Sequence, residues 1–309
     1  MPAHTDRVHV PPAQDARRGV LLMVASAAWF ALMAAIAKRW LPDTPPQAVV
    51  LSRGLLMSTV LVVLARRRRV PIVGRQRAML VVRGLLGYGA LSCYFWSVQQ
   101  LPLGDAVLLQ YAHPIFVAAL APWLLAERTS RGHWLVVSIA VLGVGLVVGP
   151  SGELRGAAVI ALCGAMCSGL AYLAIRKLSA TEHPLTIMVW FPLLTVPGSL
   201  VGAWLGGVDS IPRNGAEVTA HVAVALTALG GQITLTRGLA RVDAARGTAA
   251  TMTGPVFGVL FGLLLFGTVP SPTSLIGMLV VGACAVRLAQ GKQSPAPTPL
   301  PLPADAPRD

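Results

Sequence analysis

Residues 97–127 read SVQQLPLGDAVLLQYAHPIFVAALAPWLLAE, and residues 238–268 read GLARVDAARGTAATMTGPVFGVLFGLLLFGT. Laid over each other with a shift of 141 and no gap, they place Pro114-Ile115-Phe116 on Pro255-Val256-Phe257. A shift of 138 places Lys38 on Arg176 and Pro46 on Pro184. The chain therefore reads as two similar halves. Apolar runs around these stretches predict helices at about 19–40, 46–65, 78–99, 105–125, 132–149, 155–177, 184–206, 217–238, 243–266 and 272–290. Most are about 20 residues long, which at 1.5 Å per residue crosses roughly 30 Å of hydrocarbon. Five such helices per half is an odd number, so the second half must enter a bilayer upside down relative to the first.

Composition supports the membrane. Of 309 residues, 55% are hydrophobic and 12% are charged, and the mean hydropathy is +0.68. That leaves too little charge for the polar shell of a soluble protein. The net charge of +13 would suggest nucleic acid in a soluble chain. Here the basic residues cluster at the ends of apolar runs, so no nucleic-acid partner is expected and the lipid bilayer is. With the N-terminus inside, 18 of the 25 Lys and Arg fall in inside segments and 4 in outside segments, while Arg53, Arg83 and Arg237 fall within spans. This split predicts both termini in the cytoplasm, in the cytoplasmic (inner) membrane. No cleavable signal peptide is evident. The expected division is a tail at 1–18, five-helix repeats at 19–149 and 150–290, and a Pro-rich disordered tail at 291–309.

An inverted repeat points to alternating access, with a small-molecule substrate near the midplane where the repeats meet. The stretch from Tyr94 to Ala106, then His113-Pro114-Ile115-Phe116 and Ala126-Glu127-Arg128, resembles the EamA-type branch of the drug/metabolite transporter superfamily. Gly254 to Phe257 and Gly262 to Gly267 look like its second copy. The resemblance implies an all-α integral membrane fold of ten helices in two inverted five-helix repeats around a central substrate cavity. It also implies a glutamate at the end of the fourth helix of each repeat. That residue is Glu127 in the first copy but Thr268 in the second.

Candidate gating residues are Pro114 and Pro255, expected to kink the fourth and ninth helices at matching points. Gly254, Gly258 and Gly262 form a small-residue ladder expected to let another helix approach. Arg53, about seven residues into the second helix, is the leading candidate to bind substrate. An arginine inside a span needs a partner, and all twelve carboxylates fall in tails, loops or helix ends. Amino acids and related carboxylated metabolites therefore rank first as substrates. Arg83 and Arg237 are expected to reach the inner surface. His113, beside Pro114, is the histidine placed deepest within a span and the candidate there for a group that titrates near neutral pH. Gln110, Tyr111, Trp29, Tyr94, Trp190 and Gln232 complete the expected lining. Trp40, Trp123, Trp134 and Trp204, near helix ends, read as interfacial anchors. No cofactor or metal is expected, since the four cysteines lack a ligand spacing. An enzyme is disfavoured because no nucleophile–base pair, metal motif or phosphate loop is present. A non-transporting receptor or assembly factor is the competing class. A homodimer is compatible with the sequence but not required by it.

Overall fold

The computed structural model describes residues 13–100, 109–127, 130–148, 156–206, 214–267 and 269–290. It is all-α among these residues. The helices are α1 (Ala13–Trp40), α2 (Pro46–Arg67), α3 (Arg77–Gln100), α4 (His113–Leu124), α5 (Arg131–Val148), α6 (Ala157–Leu178), α7 (Pro184–Gly206), α8 (Gly215–Leu239), α9 (Ala244–Ala250), α10 (Gly254–Phe266) and α11 (Pro272–Gln290). Prolines open α2, α7 and α11, where the fixed φ suits the first turn and the missing N–H has no partner to lose. Gly267 closes α10 at φ 67°, in the left-handed region that glycine adopts freely.

Two boundaries differ from expectation. The first helix begins at Ala13, ahead of the apolar run, because its opening turns (Gln14 to Arg18) are good helix formers that stay helical beyond the span. The ninth apolar run is not one helix but two, α9 and α10, joined by a 3₁₀ turn at Thr251–Thr253. The start of the fourth expected helix, at 105, lies outside the described residues, as does the C-terminal tail.

Among the described residues, six stretches are long and apolar enough to cross a membrane, counting 244–266 as one, and α4, α5 and α11 are shorter apolar helices. Their outer faces carry large bare side chains: Leu135, Leu142, Leu264 and Leu279 are 63–75% exposed. Such a surface suits lipid. Trp40, Trp123, Trp134 and Trp204 are all exposed at or near helix ends.

Helix packing follows a pseudo-two-fold relation. Helix α1 packs on α8, and its counterpart α6 packs on α3; α1 packs on α10, and α6 on α4. Helix α3 also packs on α7, and its counterpart α8 on α2, while α2 with α7 and α5 with α11 are each a helix with its own counterpart. The fold is therefore two inverted five-helix repeats, ten traversals in all. Its largest buried cluster joins α1, α3, α6, α7 and α8 through Met23, Leu80, Ile175, Ile187 and Leu239, at the end of the bundle where α1 begins.

Candidate functional site

The helix breaks centre the site. Residues 109–110 are helical, Tyr111 and Ala112 form a turn, and α4 starts at His113. In the second half the break is Thr251–Thr253, and α10 starts at Gly254. The shift of 141 maps one break onto the other. Pro114 and Pro255 thus do not kink continuous helices, as expected from sequence; each sits in the first turn of a new one. Proline fits there without losing a hydrogen bond, so the break itself belongs to the residues before it. Around the second break, hydroxyls take up backbone carbonyls: Thr248 donates to Ala244 O (2.8 Å), Thr251 to Thr248 O (2.6 Å) and Thr253 to Ala250 O (2.9 Å).

The two breaks meet. His113, buried, contacts Thr251 across the repeat boundary, with Nε2 3.2 Å from Oγ1. Its Nδ1 lies 2.9 Å from the Gln110 carbonyl, which can only accept, so Nδ1 carries a proton. Neutral His113 accepts at Nε2 only when the Thr251 hydroxyl turns its one proton away from Thr248 O. Charged His113 donates there instead, and the Thr251 hydroxyl turns to Thr248 O. Tyr172 stands edge-on to the imidazole at 5.2 Å, and Tyr111 lies tilted at 6.0 Å. Gln110 donates from Nε2 to Ser168 (2.9 Å), and its Oε1 is buried without a partner. The Tyr111 hydroxyl lies against Gly254, where a Cβ would overlap it. Gly258 faces open space, so the expected glycine ladder holds a close contact at Gly254 and none at Gly258.

A second centre lies on Phe191 of α7. Arg53 is 5% exposed; its Nη1 donates to Met33 Sδ at 3.4 Å, and its Cζ lies 5.7 Å from the Phe191 centroid. Arg83 is 2% exposed, 4.5 Å from the same centroid, and its Nε and Nη1 have no hydrogen-bond partner. The expectation that Arg83 reaches the inner surface is corrected. Its guanidinium folds onto Phe191 through the gap left by Gly87, one turn further along α3. Arg237 is exposed near the end of α8. Gly87 is the sequence signal that could have flagged Arg83.

The other expected lining residues are dispersed. Tyr94 lies near Tyr111. Trp190 spends its indole N–H on Ile72 O (2.9 Å), which ties α7 to the loop after α2. Gln232 is buried and donates to Thr236 on its own helix (3.3 Å). Trp29 is 40% exposed and packs on Gly230 of α8.

At the end where α1 begins, Glu127, beyond α4, accepts from Arg176 Nε (2.8 Å) and from Ala244 N–H (2.9 Å). Burial pushes the Glu127 carboxyl above its usual range, against the pull of Arg176 and Ala244 N–H. Arg176 also donates to the carbonyls of Leu239 and Ala240 (both 3.3 Å). One ion pair thus joins the ends of α4, α6 and α8 and the start of α9. At the opposite end Lys38 lies over the Phe266 ring, 5.7 Å from its centroid.

Inverted five-helix halves, with broken helices crossing at a buried polar centre, define a membrane transporter of the repeat-built class. Residues 17–149 and 155–288 each match the EamA-like transporter family, and the chain belongs to it. The pseudopaline exporter CntI of Pseudomonas aeruginosa (strain UCBPP-PA14) is 28% identical over 279 residues, spanning 90% of this chain and 98% of that one. Solute carrier family 35 member G1 of Homo sapiens is 26% identical over 230 residues, spanning 69% of this chain and 62% of that one. A solved crystal structure superposes with a TM-score of 0.77 at 19% identity, over 88% of this chain and 96% of that one, a likeness of fold alone.

Proposed function

We propose that this membrane transporter moves a small polar metabolite bearing a carboxylate, an amino acid or a related compound, by alternating access across the cytoplasmic membrane. One observation carries the reading. Arg53 lies buried seven residues into α2, and among the described residues its contacts are a thioether and an aromatic face rather than an acid. A guanidinium stays charged in proteins, and burying that charge unpaired is costly. A substrate carboxylate supplies the missing charge and matches the planar fork bidentately. The broken helices supply the moving parts, with Pro114 and Pro255 fixing where each second segment starts. The bacterial relative is an exporter, which favours the outward direction. The charge split along the sequence supports cytoplasmic termini.

The test uses purified protein and thermal stabilisation by each amino acid beside its decarboxylated amine. The acid that stabilises should lose its effect as the amine. Arg53→Lys should abolish the effect of the acid without altering that of the amine. Equal weakening of both by Arg53→Lys would make Arg53 a structural residue and overturn the reading.

A further inference from the structure

We propose that Arg53 and Arg83 together form one binding site for a substrate with two carboxylates, one for each guanidinium. The proposal rests on the reading of Arg53 above and extends it to a residue and a substrate class that the reading does not contain.

The two arginines reach the same ring from opposite ends of the bundle. Arg53 is on α2, which enters from the end where α1 finishes; Arg83 is on α3, which enters from the other. Each lies about 10 Å along its helix at 1.5 Å per residue. Both sit over Phe191, at 5.7 and 4.5 Å from its centroid, so their central carbons are no farther apart than the sum of those distances. Neither has an acidic partner among the described residues. Arg83 has two nitrogens wholly buried and unpartnered. Buried donors in native proteins are almost always satisfied. Two buried positive charges also repel, so the empty pair is poorest in partners where a ligand with two negative charges would be richest.

The surroundings make room for this arrangement. A Cβ at Gly87 would lie 2.6 Å from Arg83 Nη1 and 2.7 Å from Phe191 Cδ2, so any side chain there would push the guanidinium off the ring. A Cβ at Gly84 would meet the Trp190 carbonyl at 3.0 Å, so glycine also brings α7, and Phe191 with it, close to α3. A face of Phe191 holds each cation by its quadrupole while leaving the N–H edges free to bind. One carboxylate would neutralise one arginine and leave the other unpaired; two carboxylates satisfy both.

The experiment is direct binding to the purified full-length protein. The probes are the straight-chain dicarboxylates from malonate to adipate, each beside the monocarboxylate of equal chain length, at matched ionic strength. One dicarboxylate should bind roughly ten- to a hundredfold tighter than its monocarboxylate, the gain expected for one further charge-assisted hydrogen-bonded contact. Arg83→Lys and Arg53→Lys should each bring it down to the monocarboxylate level. If mono- and dicarboxylates bind alike and only Arg53→Lys weakens them, the two-arginine site is wrong while the carboxylate reading of Arg53 stands. If neither class binds, or Arg53→Lys changes nothing, both fall. If inorganic phosphate binds as tightly as the best dicarboxylate, with the same dependence on both arginines, the site takes a single dianion and the two-carboxylate assignment is overturned. Should a variant fail to fold, the comparison of mono- and dicarboxylates on the unaltered protein still decides.

Discussion

Replacing Gly254 with alanine puts a methyl group where the Tyr111 side chain already lies. The new Cβ would overlap the phenol oxygen and stand 2.7 Å from Cζ, closer than real Cβ contacts come. Tyr111 has little room to retreat, because its ring packs against the cluster of Ala140, Val144, Met252, Val281 and Cys284 and faces His113 at 6.0 Å. Overpacking of this kind costs about 1–3 kcal/mol, and the crowded setting points to the upper part of that range. Tyr111→Leu removes the overlapping ring. In that background the alanine should cost less than about 1 kcal/mol, which leaves a coupling between the sites of about 2 kcal/mol. Equilibrium unfolding in mixed micelles measures all four corners of the cycle. Affinity at Arg53 should be unchanged in Gly254→Ala, since the two sites share no contact. Equal costs of the alanine with and without Tyr111 would refute the claim that the two helix breaks are locked against each other.

Glu127 should give the fold a pH dependence. Its carboxyl is raised in the folded chain, so its contribution to stability is fully present below the ordinary carboxylate range and lost as pH rises through the raised value. The melting temperature in detergent should step down across that window, and Glu127→Gln should flatten the step; superimposable profiles would show that another group titrates. Reporter fusions should place residue 70 and both termini in the cytoplasm and residue 210 outside. A cytoplasmic signal at residue 210 would contradict the orientation drawn from the charge split.

The sequence carried the architecture because membrane spans advertise themselves by hydropathy and the repeat by collinear prolines and aromatics. Pro114 and Pro255 marked the right helices and the right level. What they could not show is that the breaks precede them, at Tyr111-Ala112 and Thr251–Thr253, because proline is compatible both with a kink and with a fresh start. The meeting of His113 with Thr251 was illegible for a different reason: the partners are 138 residues apart, and only packing brings them together. Arg83 was misread because position along a helix gives depth but not direction. The contacts of Trp190 with Ile72 O, of Gln232 with Thr236 and of Trp29 with Gly230 were not legible, since residue type alone cannot say which face of a helix a side chain takes.

If the two repeats were identical, the arrangement closed at one end and its inverted counterpart closed at the other would have equal energy. This chain breaks that degeneracy in specific places. Glu127 joins Arg176 and the Ala244 N–H, while the shift of 141 puts Thr268 in its place in the other half. Glu182 accepts from the N–H groups of Arg75 and Gln76, both at 2.6 Å, while the shift of 138 puts Thr44 in its place. Both carboxylates therefore lie at the end where α1 begins, and the residues that the two shifts match to them are threonines. At the other end the contacts between elements include a cation over a ring at Lys38 and Phe266, a Ser52–His221 hydrogen bond of 2.7 Å and a small apolar cluster around Leu41, Val49 and Val224, while Glu217 accepts from Asn214 within the cap of its own helix. Hydrogen bonds to charged groups contribute about 1.5–3 kcal/mol each against about 1 for neutral ones. Burial more than offsets what the ionised Glu127 gains from Arg176 and the Ala244 N–H, as its raised carboxyl shows, so the asymmetry rests on Glu182. For a chain that alternates as proposed above, the sum favours closure at the end where α1 begins, the end already packed around Met23, Leu80 and Leu239.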